Sequence, residues 1–210
     1  TGIPRKSVYH SVVIQPTSPL DWSCIDTVLL DMDGTLLDLR FDNWFWQEHL
    51  PALWAEREKI PLAEALRILG PRFDASRGRL EWYCIDFWSR ELSMDVRAIK
   101  ASVRERVSWI AGAEALLVRL RGLGKRLVLV TNAHPETLAI KDAQADLSGH
   151  LHAVYSTHPF GAPKESDAFW PAFITAEPFD PQRTLFVDDS LPVLEAADRF
   201  GIRWMISAPA

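Results

Sequence analysis

The sequence has few cysteines, no long apolar run and no excess of basic residues, and each of these absences excludes a class of protein. Two cysteines in 210 residues, Cys24 and Cys84, form neither a disulfide framework nor a zinc-ligand cluster, so a reducing, cytoplasmic environment is expected. No apolar run is long enough to span a bilayer, and the N-terminus lacks the apolar segment of a signal peptide, so no membrane partner is expected. Lys and Arg number 23 against 28 Asp and Glu, and this net charge of −5 argues against a nucleic acid polymer as partner.

The pattern DMDGT at residues 31–35 is the most informative stretch of the chain. It follows the short apolar run at 28–30, which predicts a buried strand. Because side chains alternate along an extended segment, Asp31 and Asp33 can face the same side. Two carboxylates at the end of a buried strand are costly unless they are paired or hold a metal. In isolation the pattern also fits an ordinary turn, since Gly34 permits either a tight turn or a close backbone approach.

The remaining sequence divides into a helical block and an alternating block. From 41 to 108 only helical patterns occur, and from 109 onwards predicted strands alternate with predicted helices. Such alternation is typical of parallel strands joined by crossover helices. We therefore predict an α/β protein with a Rossmann-like three-layer αβα core, formed by residues 20–40 and 109–210 around a parallel sheet. Residues 41–108 are predicted to be an inserted all-helical cap, and residues 1–19, which contain three prolines, a leader or linker.

Individual elements follow from the same patterns. In the helical block, Asp42 or Asn43 is expected to cap a first helix. The later helices of this block are predicted at 62–69, ended by Gly70 and Pro71, at 80–92 and at 95–107. The strands of the alternating block are predicted at 127–130, 153–156, 184–187 and 203–206.

Polar side chains follow the predicted strands in a fixed order, at the edge where ligands bind in open α/β sheets. They are Asp31 and Asp33, then Thr131 and Asn132, then Lys164 in a loop, and then Asp188 and Asp189. Each has an ordinary explanation alone, such as a turn, a solvated lysine or a helix cap. Together they provide oxygen ligands for a hard cation such as Mg²⁺, a carboxylate able to attack phosphorus, and a second carboxylate able to transfer protons. Thr131 and Lys164 would hold and neutralise the phosphoryl group.

These residues resemble the four motifs of the haloacid dehalogenase-type phosphohydrolase superfamily. The resemblance implies that Asp31 is the nucleophile and a metal ligand, and that Asp33 is the general acid and base and also binds Mg²⁺. It implies that Gly34, Thr131, Asn132 and Lys164 bind or position the phosphoryl group. Asp189 is the expected remaining metal ligand, with Asp188 as the alternative. Lys164 is followed by Glu165, where many members of the superfamily have proline.

The resemblance extends into the helical block, which is similar to a C1-type cap. The runs FDNWFWQ, WYCIDFWS, TNAHP and STHPFGAPKE are similar to those of bacterial GMP/IMP-type purine 5′-nucleotidases. This implies a purine nucleoside monophosphate as substrate, with Arg40, Asn43 and Trp44 as candidate contacts. Trp46, Trp82 and Tyr83 are further candidates for stacking on the base, although packing within the cap is the commoner role of such residues. His134 is expected to start a helix.

Two other functions fit the same motifs. A sugar-phosphate phosphatase or a phosphoglucomutase-like enzyme would use the same catalytic residues and differ only in the cap. A phospholigand-binding protein that retained the fold would not need both Asp31 and Asp33. The sequence leaves the oligomeric state open.

Overall fold

The computed structural model describes residues 20–208, so the predicted leader at 1–19 lies outside the described residues. Its centre is one parallel sheet of five strands, in the order β3-β2-β1-β4-β5. The strands are β1 Thr27–Leu30, β2 Arg126–Thr131, β3 Ala153–Ser156, β4 Thr184–Asp188 and β5 Trp204–Ser207. The prediction of a parallel α/β sheet is confirmed, and every predicted strand forms with its limits within a residue or two.

Helices surround the sheet and fill the connection between β1 and β2. In that connection lie α1 Arg40–Trp44, a π-helical turn Phe45–His49, α2 Leu50–Glu58, α3 Leu62–Ser76, α4 Ile85–Leu92 and α5 Val96–Ser102. The remaining helices are α6 Ala113–Gly122, α7 Pro135–Ala145, α8 Leu147–His150, α9 Phe169–Ala176 and α10 Leu191–Phe200. None of the helices within residues 20–208 is long and apolar enough to cross a membrane.

The sheet separates two apolar clusters, which gives the three layers. Val28 and Leu30 point to one side, where they pack with α6 residues such as Leu117. Leu29 points to the other side, where it packs with residues of α9 and α10 such as Phe173. This alternation is the period-two geometry of a strand whose two faces are both covered.

A third apolar cluster lies within α1–α5, which form the helical segment between β1 and β2. It includes Phe45, Leu69, Ile85, Trp88 and Val96, all almost completely buried. Most of the tryptophans in this segment therefore contribute to a separate small core, as expected for amphipathic helices.

Four predictions about the helical block were wrong in detail. α3 continues through Gly70 and Pro71 to Ser76, because Phe73 in the added turn packs edge-to-face on Trp88 at 4.8 Å between ring centroids. This packing offsets the hydrogen bond that a proline inside a helix removes. The predicted helix at 80–92 is interrupted at Cys84, which has extended backbone and caps α4 by accepting a hydrogen bond from the Phe87 N–H.

The other two corrections concern helix limits. α1 begins at Arg40, so Asp42 lies inside the helix and does not cap it. The predicted helix at 95–107 ends at Ser102 and is followed by a short 3₁₀ turn, Arg104–Arg106. Asp95 caps α5 through the Ala98 N–H at 2.9 Å, as its place before the helix suggests.

Candidate active site

The ends of the three central strands meet at one edge of the sheet. The N–H of Asp31 donates to the carbonyl of Val187 at 2.9 Å, which continues the pairing of β1 with β4 one residue beyond β1. Because β1 lies between β2 and β4, Asp31 is flanked by Thr131 on one side and Asp188 on the other. The strand order thus gathers three motifs that together span more than 150 residues of the sequence.

Lys164 joins two of these carboxylates. Its Nζ donates to Asp31 and, at 2.7 Å, to Asp188, and the lysine is only 2 % exposed. Burial alone would lower the pKa of Lys164, but the two carboxylates raise it above its usual range. The lysine is held in place by its backbone, since its carbonyl accepts from Trp170 Nε1 at 2.9 Å.

Three carboxylates lie close together at this edge, and Lys164 contacts two of them, Asp31 and Asp188. Asp31, Asp188 and Asp189 each offer an oxygen within 4.8 Å of the other two. Burial raises the pKa of Asp31 to about 6, with repulsion from Asp188 adding to the effect, and burial and Asp31 raise the pKa of Asp189 to about 6. This cluster carries more negative charge than its one lysine neutralises, and its hard oxygen donors suit a divalent cation such as Mg²⁺.

The two adjacent aspartates differ in how they are held. Both oxygens of Asp188 are occupied, one by Lys164 and the other by the Ser190 N–H at 2.9 Å. Within residues 20–208, no other side chain donates a hydrogen bond to Asp189. The carboxylate of Asp189 therefore has the more available oxygens of the two.

Gly34 is required beside Asp189. Its φ is +86°, and a Cβ added there would lie 2.3 Å from Oδ2 of Asp189. Both the left-handed backbone and the close approach exclude a larger residue. The glycine of the first motif therefore sets the position of a carboxylate from the fourth.

Asn132 connects the end of β2 to the loop that carries Lys164. Its Oδ1 accepts from the Lys164 N–H at 2.9 Å and from the Thr157 hydroxyl at 3.2 Å. Its Nδ2 donates to Glu165 at 2.8 Å, and the other oxygen of Glu165 accepts from the Tyr83 hydroxyl at 3.1 Å. The structure thus gives the unusual Glu165 a role, because it joins the helical segment between β1 and β2 to the strand edge.

A second group of buried charges was missed by the sequence analysis. Lys141 Nζ lies 2.5 Å from Oδ1 of Asp33 and 2.5 Å from Oδ2 of Asp42, and Lys100 Nζ lies 2.6 Å from the other oxygen of Asp42. Both lysines are 1 % exposed. Their spacing in the sequence could have indicated them. Lys141 lies four positions after the buried Thr137 in α7, and Lys100 lies four positions after the buried Val96 in α5, so each lysine falls on the buried face of its helix.

These four charges balance one another. Burial raises the pKa of Asp33 to about 6, although Lys141 opposes the effect. Burial would also raise the pKa of Asp42, but Lys100 and Lys141 together hold it below its usual range. Two lysines face two carboxylates here, so the excess negative charge of the site remains at Asp31, Asp188 and Asp189.

A cavity of about 640 Å³ lies between the strand edge and the helical segment. Its floor includes Asp31, Asp33, Thr131, Lys164 and Asp189. Its opposite wall includes Asn43, Trp46, Phe73, Asp74, Arg77, Trp82 and Tyr83. The volume is in the range of sites for small metabolites.

The sequence-derived cap candidates divide into two sets. Asn43, Trp46, Trp82 and Tyr83 line the cavity. Arg40 does not line it, because its side chain is 87 % exposed and pairs with Asp38 at 2.6 Å. Trp44 also lies outside it, between His49 and Arg106, whose guanidinium is 3.9 Å from the ring centroid. His134 caps α7 through the Glu136 N–H, as predicted.

The fold and the site define a class of protein, the hydrolases that carry aspartate residues at the end of the first strand. Comparisons with known proteins support the same class. A sequence profile described as haloacid dehalogenase-like hydrolase matches residues 25–201. The chain therefore belongs to the haloacid dehalogenase-like hydrolase family. This confirms the family prediction and the prediction that the protein is an enzyme, a phosphatase of this type.

The chain is also similar to particular proteins. It is 42 % identical over 185 residues to the GMP/IMP nucleotidase YrfG of Escherichia coli, covering 88 % of this chain and 83 % of the relative. A haloacid dehalogenase-type phosphatase from Thermococcus onnurineus superposes with a TM-score of 0.75 at 19 % identity, covering 85 % of this chain and 84 % of that one. The hydrolase YfnB from Bacillus subtilis, solved with magnesium, gives 0.63 at 19 % identity over 86 % of each chain. The two structures support the fold alone.

Proposed function

We propose that this protein is a Mg²⁺-dependent phosphomonoesterase that hydrolyses purine nucleoside monophosphates to nucleoside and phosphate. The observation that carries the proposal is the cluster of Asp31, Asp188 and Asp189, in which the buried ammonium of Lys164 contacts Asp31 and Asp188. A divalent cation together with that ammonium would balance the three carboxylates and so offset the repulsion that a bound phosphate would meet. The similarity to a GMP/IMP nucleotidase supports the substrate class.

Asp31, Asp189 and the backbone of Asp33 would hold the Mg²⁺, with Asp188 close enough to take part. When bound, the ion supplies positive charge that lowers repulsion between the carboxylates and the phosphoryl oxygens. Lys164 contributes the same kind of stabilisation from the opposite side of Asp31. Thr131, which is 2 % exposed at the end of β2, offers its hydroxyl to a phosphoryl oxygen.

The chain's own residues then perform two displacements. A carboxylate oxygen of Asp31 attacks phosphorus, the bond to the ester oxygen breaks, and Asp33 gives its proton to the departing nucleoside oxygen. Asp33 next removes a proton from a water molecule, whose oxygen attacks the aspartyl phosphate and regenerates Asp31 with release of phosphate. Burial raises the pKa of Asp33 to about 6, which suits a group that both donates and accepts a proton near neutral pH.

The residues between β1 and β2 provide the surface for the rest of the substrate. We propose that residues 41–108 act as a cap domain on a core formed by 20–40 and 109–210. Tyr83 and Asp42 already bridge to the core through Glu165 and Lys141. The cap would enclose the nucleoside while the core holds the phosphate.

Trp82, Asp74 and Arg77 are the proposed contacts to the base. Trp82 is half-buried in the cavity wall, and the Arg77 guanidinium lies 5.2 Å from its ring centroid and 3.1 Å from Asp74. A 6-oxopurine presents an acceptor at O6 beside a donor at N1, which matches a guanidinium beside a carboxylate. Adenine presents the opposite pattern, so this pair would favour GMP and IMP over AMP. Trp46 packs on Phe73 and Trp88 and is assigned to the cap core.

The proposal is tested by Mg²⁺-dependent phosphate release from GMP, IMP, AMP, pyrimidine monophosphates and sugar phosphates. Turnover of GMP and IMP that Asp31→Asn abolishes is expected. Asp74→Asn and Arg77→Gln should raise the KM for GMP at least about tenfold, whereas the exposed Arg67→Gln on the same helix should not. Preferred turnover of sugar phosphates would support the proposed phosphatase mechanism but contradict the proposed nucleotide substrate. No turnover of any ester by folded, Mg²⁺-bound protein would favour a phospholigand-binding role.

A further inference from the structure

A thiol and two imidazoles converge outside the active site. Cys84 precedes α4, His134 precedes α7, and His158 opens a 3₁₀ turn after β3. One ligand atom from each lies within 4.8 Å of the other two, and the two imidazole rings are 4.9 Å apart between centroids. Cys84 belongs to the helical segment between β1 and β2, whereas both histidines follow strands of the sheet.

The His158 ring is oriented as a metal ligand would be. Its Nε2 is buried and has no hydrogen-bond partner within residues 20–208, while the ring hydrogen-bonds the backbone of Asn132. When Nδ1 carries the ring proton and faces the backbone of Asn132, the lone pair of Nε2 is without a partner. Metal-binding histidines commonly donate their second nitrogen to a backbone carbonyl in this way.

The other two residues are compatible with the same ion. His134 Nδ1 accepts a long hydrogen bond of 3.3 Å from Glu136, and its Nε2 lies 3.6 Å from Oδ2 of Asp86. Burial lowers the pKa of both histidines, that of His158 to about 4, and so favours the neutral rings that bind metal ions. The sulfur of Cys84 accepts a hydrogen bond from the Phe87 N–H at 3.4 Å, and a donor at this position is compatible with a thiolate ligand.

We propose that Cys84, His134 and His158 bind one borderline-soft divalent transition-metal ion, such as Zn²⁺, with Asp86 or water as fourth ligand. A ligand set of one thiolate and two imidazoles selects such ions, whereas the carboxylates around Asp31 suit Mg²⁺. In a tetrahedral zinc site the ligand atoms are about 3.3–3.6 Å apart, and since the three atoms here lie within 4.8 Å of one another, they need to approach by at most about 1.5 Å.

Binding there would join the helical segment to the sheet beside the active site. Cys84 follows Tyr83, whose hydroxyl contacts Glu165, and the His158 ring contacts the backbone of Asn132. Glu165 and Asn132 hydrogen-bond each other next to Lys164. The ion would therefore restrain the helical segment beside the loop that carries Lys164, whichever substrate the enzyme uses.

The first test is spectroscopic and needs no substrate. The full chain, in excess Mg²⁺ to occupy the carboxylate site, is titrated with Co²⁺ while absorbance from a thiolate-to-cobalt transition is recorded, and bound Co²⁺ is then displaced by Zn²⁺. We expect one equivalent of Co²⁺ to bind and to produce the absorbance of a thiolate-to-cobalt transition. Cys84→Ser should remove the transition, and His158→Gln should weaken binding at least about tenfold. The matched controls Cys24→Ser and His150→Gln should bind as the unaltered protein does.

A second test uses the unaltered protein, so that a folding defect in a variant does not decide the outcome. Zn²⁺ should slow alkylation of Cys84 at least about tenfold relative to Cys24, as followed by peptide mass spectrometry. Equal protection of both thiols, a cobalt spectrum without a thiolate transition, or Zn²⁺ affinity unchanged in Cys84→Ser and His158→Gln would overturn the proposal.

Discussion

Lys141 and Asp33 form an ion pair at the active site, with Nζ 2.5 Å from Oδ1; the Lys141 side chain is 1 % exposed and that of Asp33 is 23 % exposed. The same Nζ lies 2.5 Å from Asp42, which belongs to the helical segment between β1 and β2. One ammonium therefore binds the proposed general acid of the core and a carboxylate of the proposed cap. We expect the position of the cap and the state of Asp33 to depend on each other through Lys141.

Substituting Lys141 should affect both stability and catalysis. Lys141→Met leaves two buried carboxylates without their shared partner, so the free energy of unfolding should fall by roughly 3–5 kcal/mol. The kcat for phosphate release should also fall, by about tenfold or more, because Asp33 loses the group that orients it. Chemical denaturation and steady-state kinetics measure the two effects.

Lys100→Met is the matched control for that variant. Lys100 is as buried as Lys141 and pairs with Asp42, but it makes no hydrogen bond to Asp33. It should reduce stability by a similar amount and lower kcat less than Lys141→Met does. If both variants lowered kcat equally, Lys141 would have no specific influence on Asp33.

Gly34→Ala should weaken metal binding through Asp189. The new Cβ would lie 2.3 Å from Oδ2 of Asp189, so that carboxylate has to move. We expect the apparent Kd for Mg²⁺, measured by calorimetry, to rise at least about tenfold. Gly78→Ala provides the comparison, because Gly78 also has a positive φ, +76°, but open space around it. An unchanged Kd in Gly34→Ala would show that Asp189 does not ligate the metal.

Substitution of Asp31 and of Asp33, the two proposed catalytic aspartates, should affect different partial reactions. Asp31→Asn removes the attacking oxygen and should abolish both turnover and phosphoenzyme. Asp33→Asn retains that oxygen but lacks the proton donor and acceptor, so turnover should fall by about 10²–10⁴-fold. With a substrate whose leaving group needs no proton, such as an aryl phosphate, Asp33→Asn should accumulate phosphoenzyme that hydroxylamine cleaves. Phosphoenzyme in Asp31→Asn would assign the nucleophile to another residue.

Glu177 should contribute to stability in a pH-dependent way, far from the site. Burial would raise the pKa of Glu177, but hydrogen bonds from Arg126 at 2.6 Å and Tyr155 at 2.9 Å outweigh it and hold the pKa below its ordinary 4.5. Because the folded pKa is the lower one, this stabilisation is present above pH 4.5 and is lost as pH falls through the folded value. Glu177→Gln should lower stability at pH 7 by about 1–3 kcal/mol and flatten its decline below about pH 5. The exposed Glu195→Gln should do neither, as thermal unfolding over a pH series can show.

Much of the core was predictable because its signals are local. The run at 28–30 and the strands that follow 109 are apolar segments bounded by turn residues, and their limits were predicted to within a residue or two. Parallel strands place their carboxyl ends at one edge, so the meeting of Asp31, Thr131, Lys164 and Asp188 followed from strand order. The assignment of roles to those residues came from resemblance and stays a proposal.

The helical segment was less predictable because its helices depend on packing. Pro71 favours a helix end, yet the contact of Phe73 with Trp88 keeps α3 helical. Trp44 and Trp46 are neighbours in the sequence, but only Trp46 lines the cavity. A lysine that follows a buried residue by four positions more often has its charged end in solvent, so Lys100 and Lys141 gave only a weak signal.

The sequence by itself determined the parallel core, the family and the order of the acidic motifs, because each depends on short patterns and on the geometry common to all parallel sheets. Only the tertiary structure decided which charges pair, which aromatic side chains reach the cavity, and that Cys84 meets His134 and His158. Two cysteines gave no metal motif in the sequence, since the three ligands lie 50 and 24 positions apart. Contacts at such separations are set by how one packed unit docks on another, which no local pattern of residues encodes.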